Sequence, residues 1–194
     1  MPRKFKRRER ILREASRLFT EKGFAATTLG DIAGAVGIRR ESLYYYYPGR
    51  YDILYDIIEP QISSVMANFA TIMATEADSI RAIRRAIENH LQQFNPSYLH
   101  MAMAVRKNSS DEVEQKFIRL RDMFKEYENL WTKLIRRGAD QGIIRTDTPP
   151  AILVYSLLGL CNSLSSWYRP DGEMSLDQVG RYYSDIILGG IRAS

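Results

Sequence analysis

Residues 28–47 read TLGDIAGAVGIRRESLYYYY, and this stretch decides the fold of the first quarter of the chain. Thr28 precedes Asp31 by three residues, close to a capping box, and so predicts a helix start. The apolar positions of that helix share one face: Ile32, Ala33 and Val36. Gly37 ends the helix, and a third short helix is predicted over residues 40–47. The pattern is helix, glycine turn, helix.

This motif suits DNA because its first helix crosses the sugar-phosphate backbone and its second lies in the major groove. The glycine turn lets the two helices cross steeply. The leading end of the second helix carries Arg39, Arg40, Glu41 and Ser42. An arginine presents two parallel donors to guanine, which gives about 1–3 kcal/mol of discrimination. The stretch therefore predicts a DNA-reading head.

The positive charge of the chain is concentrated at one end. The 194 residues carry a formal net charge of +5. Residues 1–55 hold 12 Lys and Arg against 6 Asp and Glu, and the remainder holds 16 against 17. Seven basic residues fall within the first 13 positions. Such a run indicates either a polyanionic partner or a solvated tail, and here it leads directly into the DNA-reading motif.

Helical periodicity continues along the whole chain, with no convincing strand, and predicts an all-α protein of about nine helices. A three-helix head is predicted over residues 1–50 and a helical bundle over residues 51–194. A long helix over about 50–75 contains Pro60, where we expect a kink. The later helices are predicted over about 79–94, 97–107, 109–142, 149–167 and 175–187.

The head closely resembles that of the TetR (tetracycline-repressor-like) family. The matching segments are RERIL (8–12), LFTEKGF (18–24), TTLGDIA (27–33), VGI (36–38) and SLYY (42–45). The resemblance covers about residues 7–55. It implies a homodimer with two heads one helical turn apart and release of double-stranded operator DNA when a small-molecule effector binds.

The resemblance also implies which residues contact DNA. Thr28 corresponds to a phosphate contact, and Arg39, Arg40 and Ser42 correspond to groove readers. Contacts that follow along the recognition helix and into the fourth helix are Tyr44, Tyr45, Tyr46 and Arg50. The chain departs from the family where Tyr46-Tyr47 replaces a common His-Phe pair and where Arg50 replaces the usual Lys. Tyr47 and Leu43 should face the head's core, and each other tyrosine either contacts DNA or packs.

The bundle is rich in Met and aromatic residues on its predicted inward faces. Candidate ligand-binding residues among them are Phe69, Met73, Phe94, Met101, Phe124, Tyr127 and Trp131. Adaptable Met side chains suit a pocket for an apolar ligand, although the same residues can simply fill a core. Small residues on the last two helices, such as Gly159 and Gly189, fit either a four-helix seam between two chains or packing within one chain.

The segment from Trp167 to Gly172 and the final helix resemble the tail of a TetR subgroup that senses acyl-CoA thioesters in fatty-acid and steroid breakdown. In that interpretation Trp167 stacks on the ligand and Arg169 pairs with a CoA phosphate. Alternatively the segment is a structural turn, with Trp167 in the dimer core and Arg169 on the surface. Ser166 stands where some relatives carry another basic residue.

No catalytic constellation is recognisable, so no enzyme, cofactor or metal site is expected. His90 and His100 are not at ligand spacing, and lone Cys161 fits a reducing cytosol. No apolar run could cross a membrane and no secretory signal is evident, so we expect a cytoplasmic, nucleoid-associated bacterial protein.

Three hypotheses follow from the sequence. The first is a repressor released from its operator by a ligand, such as an acyl-CoA thioester. The second is a DNA-binding regulator that senses a different hydrophobic ligand, as drug-efflux regulators do, or none. The third is a helical enzyme or lipid carrier with a degenerate head, which the basic first quarter of the chain disfavours.

Overall fold

The computed structural model describes residues 3–93, 111–169 and 171–192. These ranges contain eight α-helices: α1 (Arg3–Lys22), α2 (Leu29–Val36), α3 (Arg40–Tyr44), α4 (Arg50–Thr75), α5 (Ser79–Gln93), α6 (Asp111–Asp140), α7 (Pro150–Trp167) and α8 (Leu176–Ile191). Their only β-type pairing is one antiparallel bridge, Ile144 to Arg192. The all-α prediction is confirmed, and the helix predicted over residues 97–107 lies outside the described residues.

Two predicted capping boxes form. The Thr28 hydroxyl accepts the Asp31 amide, and the Asp31 side chain accepts the Thr28 amide. Ser175 and Gln178 make the same reciprocal pair at the start of α8. Both boxes satisfy amide groups that a helix start leaves without an intrahelical partner.

Left-handed glycines follow three of the helices: Gly23 after α1, Gly37 after α2, where the helix end was predicted, and Gly142 after α6. Gly37 adopts a φ of 71° after α2, a left-handed conformation that glycine enters without steric cost. Its amide donates to the Gly34 carbonyl at 3.1 Å, and the Ile38 amide donates to Ala33 at 3.0 Å. Gly142, with a φ of 68°, follows α6.

The recognition helix α3 is shorter than predicted. It ends at Tyr44 rather than at residue 47. The amides of Tyr46 and Tyr47 both donate to the Leu43 carbonyl, at 2.9 and 3.0 Å, which closes a turn instead of extending the helix. Pro48 disfavours helical geometry only at Tyr47, so it does not account for a helix end at Tyr44.

The long helix α4 continues through Pro60, which lies inside it. Its bounds match the predicted range, and the kink at Pro60 stays a prediction. Asp78 starts the next helix, since its carboxylate accepts the Ile80 amide at 2.8 Å. Helix α7 begins at Pro150, one residue after the predicted start at Pro149.

The chain forms two compact units. The head comprises Met1–Pro60 and Ser97–Leu120, and the body comprises Gln61–Pro96 and Arg121–Ser194. Helices α4 and α6 each contribute residues to both units. The domain boundary predicted at residue 50 stays a prediction.

The head core is built from the apolar stripes that the sequence shows. Ile11, Ala15 and Phe19 of α1 are fully buried. Further buried residues of the head are Ile32, Val36, Leu43, Ile53 and Leu54. Leu43 and Tyr47 both face this core, as predicted, with at most 2% of their surface exposed. The short recognition helix is thus held by its buried side.

In the body, the end of α6 is tied to the turn between α4 and α5. The Arg137 guanidinium donates to the Met73 carbonyl at 3.0 Å and to the Ser79 hydroxyl at 3.3 Å. A Cβ added at Gly138 would lie 2.5 Å from a side-chain carbon of Ile144. This close approach requires a residue without a side chain at position 138.

Candidate nucleic-acid interface and body core

The leading end of α3 is open to solvent. Arg39 precedes the helix in extended conformation, and its side chain makes no capping hydrogen bond. Arg39, Arg40, Glu41 and Ser42 are all exposed, whereas Leu43 is buried. The three predicted groove readers therefore lie at one accessible end of a helix whose opposite side is fixed in the core.

A tyrosine holds the side chain of Arg40. The Arg40 guanidinium donates to the Tyr44 hydroxyl at 3.1 Å, and its central carbon lies 5.7 Å from the centre of the Tyr44 ring. The two residues are four positions apart and so share a helix face. This pairing pre-orients the arginine, which lowers the conformational entropy that it loses on meeting a base.

The remaining tyrosines divide between surface and core. Tyr45 is 72% exposed, and its ring lies 5.4 Å from that of the partly buried Tyr46, edge to face. Tyr47 is buried and is no DNA contact. DNA contacts from Tyr44, Tyr45 and Tyr46 stay a prediction with which this exposure is compatible.

Thr28 uses its hydroxyl within the protein. The hydroxyl lies 2.6 Å from an Asp31 carboxylate oxygen and donates to it, while it accepts the Asp31 amide at 3.1 Å. Hydrogen bonds from the Thr28 hydroxyl and amide hold the pKa of Asp31 below its usual value. A phosphate contact from Thr28 would compete with this carboxylate.

Arg50 also has internal partners. One of its terminal nitrogens lies 3.3, 3.0 and 3.1 Å from the carbonyls of Phe24, Ala25 and Thr27. The guanidinium also stacks over the Phe24 ring, 4.9 Å from its centre. Arg50 thus fastens the start of α4 to the α1–α2 turn, a role that the sequence did not indicate, and its predicted DNA contact stays a prediction.

Arg8, Tyr47 and Asp56 form a polar group that joins α1, the turn after α3, and α4. The Arg8 Nε donates to the Tyr47 hydroxyl at 2.9 Å, and a terminal nitrogen pairs with Asp56 at 2.5 Å. These contacts raise the pKa of Arg8, the Tyr47 bond contributing most. Burial raises the pKa of Tyr47 to about 12. The sequence gives no local signal for this group, because its members lie 39 and 48 positions apart.

Three of the predicted ligand-binding residues meet in the body core. The Phe69 and Trp131 ring centres lie 4.8 Å apart, and the Tyr127 ring lies 5.8 Å from Phe69. All three residues are buried. The Trp131 Nε1 is buried and makes no hydrogen bond of good geometry with the described residues, and its polar neighbour is the Tyr127 hydroxyl, whose pKa it lowers against the opposing effect of burial.

The other predicted ligand-binding residues are placed differently. Met73 and Phe124 are partly buried, and Met73 packs against the body core. Phe94 and Met101 lie outside the described residues. A groove of about 230 Å³ between α4 and α5 is lined by none of the predicted ligand-binding residues, and Asn68, Arg85 and Gln92 give it a polar wall.

His90 lies beside the aromatic group and was not predicted as part of it. Its Nε2 is 3.1 Å from the Asn162 amide oxygen, which can only accept, so Nε2 carries the hydrogen. Its Nδ1 then accepts the Tyr127 hydroxyl at 2.9 Å. Burial lowers the pKa of His90 to about 4, so the ring is neutral at pH 7.

Trp167 and Arg169 lie at the surface. Trp167 is 41% exposed and donates from Nε1 to the Tyr183 hydroxyl at 3.1 Å. Arg169 is exposed, and its carbonyl accepts the Gly172 amide at 3.0 Å, which closes the predicted turn. The two residues are therefore accessible to a ligand or to a second chain.

Helices α7 and α8 expose several large apolar side chains, and we call the surface that carries them the α7–α8 face. Its large apolar members are 41–63% exposed: Ile152, Tyr155, Trp167, Tyr182 and Ile186. The predicted small residues Gly159 and Gly189 are exposed as well, with open space where a Cβ would be. The alternative that these glycines permit packing within one chain is therefore wrong.

The sequence was compared with known proteins. The family model described as "Bacterial regulatory proteins, tetR family" matches residues 11–57, and that described as "Tetracyclin repressor-like, C-terminal domain" matches residues 76–191. The chain belongs to the TetR family. It is a DNA-binding transcriptional regulator with the head and body of that family, whose members bind operator DNA as dimers and respond to small-molecule effectors.

Individual relatives are similar along most of the chain. The HTH-type transcriptional repressor KstR2 of Rhodococcus jostii is 28% identical over 95% of this chain and 91% of its own length. The structure of the ketosteroid transcriptional regulator KstR2 of Mycobacterium tuberculosis superposes with a TM-score of 0.86 at 23% identity, covering 97% and 96% of the two chains. A third structure, AibR in complex with isovaleryl coenzyme A and operator DNA, shares the fold, with a TM-score of 0.76 at 18% identity and coverage of 93% and 97%.

Residues 3–93, 111–169 and 171–192 contain neither a membrane-spanning helix nor a metal-binding cluster. No helix in these ranges is both long and apolar enough to span a membrane. No group of three or more His, Cys, Asp or Glu side chains in them is arranged to hold a metal ion.

The buried His90 predicts a specific pH dependence of stability. Its pKa falls from 6.5 in the unfolded chain to about 4 in the folded protein, so between these values the unfolded chain binds the proton preferentially. The free energy of unfolding should therefore decrease as pH falls from 6.5 to 4, by about 1.4 kcal/mol per unit and up to about 3 kcal/mol from this group.

His90→Gln should remove that part of the dependence. Urea unfolding at fixed protein concentration gives the free energy of unfolding of both proteins over pH 4–6.5. Both proteins have the same carboxylates, so the contribution of these groups cancels in the difference between the two curves. Parallel curves would contradict a neutral, buried His90.

Proposed function

We propose that this TetR-family protein is a homodimeric repressor that a small-molecule ligand releases from its operator, and that the ligand is an acyl-CoA thioester. The observation that carries the DNA-reading part is the exposed leading end of α3, where Arg39, Arg40 and Ser42 are presented by a helix anchored in the core. The protein acts in the cytoplasm on the nucleoid and has no catalytic role.

Three observations support the ligand class. Trp167 and Arg169 are both exposed next to a turn, where an indole can stack and a guanidinium can pair with phosphate oxygens. KstR2 of M. tuberculosis is described as a ketosteroid regulator, and AibR holds isovaleryl coenzyme A. The apolar group of Phe69, Tyr127 and Trp131 suits the acyl part of such a ligand.

The same apolar group supports the second candidate, a regulator that senses a hydrophobic ligand without CoA. Phe69 and Trp131 are fully buried, and Trp131 Nε1 leaves one donor for an oxygen of the ligand. Such a ligand would need the aromatic group and would be indifferent to Arg169.

The mechanism that we propose is a shift between two populations of the dimer. The two heads of a dimer must meet successive major grooves, about 34–36 Å apart, for both recognition helices to engage. Helix α4 contributes to head and body, so a ligand that displaces it changes the spacing of the heads. The ligand shifts the equilibrium only as far as it binds the released state more tightly than the DNA-bound state.

The α7–α8 face is the proposed dimer seam. Two copies of α7 and α8 would bury Ile152, Tyr155, Tyr182 and Ile186 in a four-helix arrangement, whereas Trp167 would stay accessible to the ligand, and the glycines would permit close approach of the helices. Burial of such a patch provides the hydrophobic gain on which obligate dimers depend.

Arg40→Ala should weaken operator binding by about 1–3 kcal/mol, or roughly 5- to 150-fold, because one bidentate base contact is lost. The operator is first selected from random duplexes, and affinity is measured by fluorescence anisotropy. Lys133→Ala, which removes one exposed charge of the body, is the matched control and should bind normally. If Arg40→Ala bound the operator with unchanged affinity, Arg40 would not be a groove reader.

Acyl-CoA thioesters should release the wild-type protein from this operator. A panel of thioesters of different acyl chains is titrated into the complex, with free CoA and the free acids as controls. Arg169→Ala should raise the concentration needed for release by roughly 10- to 150-fold, since a charge-assisted contact to phosphate contributes about 1.5–3 kcal/mol. Release by a free hydrophobic compound, with no effect of Arg169→Ala, would favour the second candidate.

Ile186→Glu should yield monomers, because each seam would bury two carboxylates in an apolar environment. Size-exclusion chromatography with light scattering gives the mass, and Asn129→Glu on the exposed face of α6 is the control. A dimer that survives Ile186→Glu would place the seam elsewhere.

A further inference from the structure

The first turns of α1 carry an exposed basic surface, formed by Lys6, Arg7 and Arg10 and called the α1 basic surface. Arg10 follows Lys6 by four residues and Arg7 by three, so the three side chains share one side of the helix. In the part of the chain that the structure describes, none of them lies within ion-pair distance of a carboxylate. Their charges are therefore available to an external anion.

The neighbouring cations of α1 are placed differently. Arg17 pairs with Glu14 at 3.2 Å and with Glu21 at 2.7 Å. Arg13 lies 3.8 Å from Glu14. Glu14 and Glu21 thus compensate the second half of α1, and the first half, where Glu9 is the one acidic residue among six basic ones, stays positive. Lys6, Arg7 and Arg10 belong to the run of seven basic residues within the first 13 positions of the chain.

Arg8 fixes this end of α1 beside the recognition helix. It points away from Lys6 and Arg10, toward the Tyr47 hydroxyl at 2.9 Å and Asp56 at 2.5 Å. Tyr47 directly follows Tyr46 at the trailing end of α3. Lys6 and Arg10 lie within two residues of Arg8, or about 3 Å along the helix axis. The basic surface is therefore held close to the last residues that face DNA.

We propose that the α1 basic surface binds the phosphate backbone of DNA next to the segment that α3 reads, independently of sequence. The chemistry is charge neutralisation: each Lys or Arg that meets a phosphate releases condensed counterions, which strengthens binding and makes it depend on salt. Base readout by Arg39 and Arg40 then selects the site, and the α1 surface adds affinity on any duplex. The inference rests on DNA binding by the head and is independent of the ligand.

The test compares two triple variants with the same change in net charge. Lys6→Gln/Arg7→Gln/Arg10→Gln removes the α1 basic surface, and Lys125→Gln/Lys133→Gln/Arg136→Gln removes three exposed cations of α6 in the body. Dissociation constants are measured against salt concentration on the selected operator and on a scrambled duplex. Thermal unfolding by circular dichroism confirms that both variants are folded.

For the α1 variant we expect a smaller slope in the plot of log association constant against log salt concentration. The magnitude of the slope should fall by about 0.9 for each lost phosphate contact, and by a similar amount on both duplexes. The operator-to-scrambled affinity ratio should stay unchanged. The α6 variant should keep the wild-type slope. Phosphate ethylation interference should also lose its signal at positions flanking the α3 contacts in the α1 variant.

Three results would overturn the proposal. One is a wild-type slope in the α1 variant, and another is an equal fall in both variants, which would reflect net charge alone. The third is a loss confined to the operator, which would make the surface part of sequence readout. If the wild-type protein selected no operator, the repressor function would fail, but the scrambled duplex would still decide whether α1 binds phosphates.

Discussion

The DNA-reading geometry depends on a five-residue helix that cannot hold itself together, because so short a helix is not stable in water. Helix α3 is held from outside at three points. The left-handed Gly37 sets its direction of entry, Leu43 anchors its inner side, and Tyr47 joins its trailing end to Arg8. Since Arg8 also pairs with Asp56, the same guanidinium connects α1 and α4 to the recognition helix. The positions of the exposed arginines Arg39 and Arg40 therefore depend on contacts made by α1, α2 and α4 as well as by α3 itself.

The recognition helix exposes its polar side chains, whereas the body keeps several polar groups in its interior. His90 satisfies both ring nitrogens with Tyr127 and Asn162, which offsets the cost of burying them. Trp131 Nε1 is buried beside this group without a hydrogen bond of good geometry. A core that keeps an unsatisfied donor loses stability relative to an apolar one, and such sites are commonly retained for function. The members of this buried polar group lie far apart in the chain, so local sequence patterns do not connect them.

The sequence alone predicted the features that are governed by neighbouring residues. Each of these features depends on positions only a few residues apart. They are the capping boxes at Thr28 and Ser175, the left-handed Gly37 and Gly142, and the bounds of α4. The predicted length of α3 was wrong, because the helix ends at Tyr44 and a turn follows it. The partners of Arg8, Arg50 and His90 were missed because they lie 23 or more positions away, and only the fold brings them together. The family resemblance implies that Arg50 contacts DNA, whereas the structure shows that Arg50 binds the carbonyls of the α1–α2 turn.

The apolar face of α7 and α8 has a consequence for genetics. If this face is the dimer seam, as proposed, a chain whose head is defective still carries an intact seam, and in a cell that makes both forms it pairs with normal chains. Each mixed dimer presents one working head to a two-part operator, so it loses the gain in affinity that comes from linking two binding sites. With equal synthesis and random pairing, only about a quarter of the dimers keep both heads. Defects in the head are therefore dominant, and defects in the seam are recessive, because a chain that cannot pair leaves the normal dimers untouched.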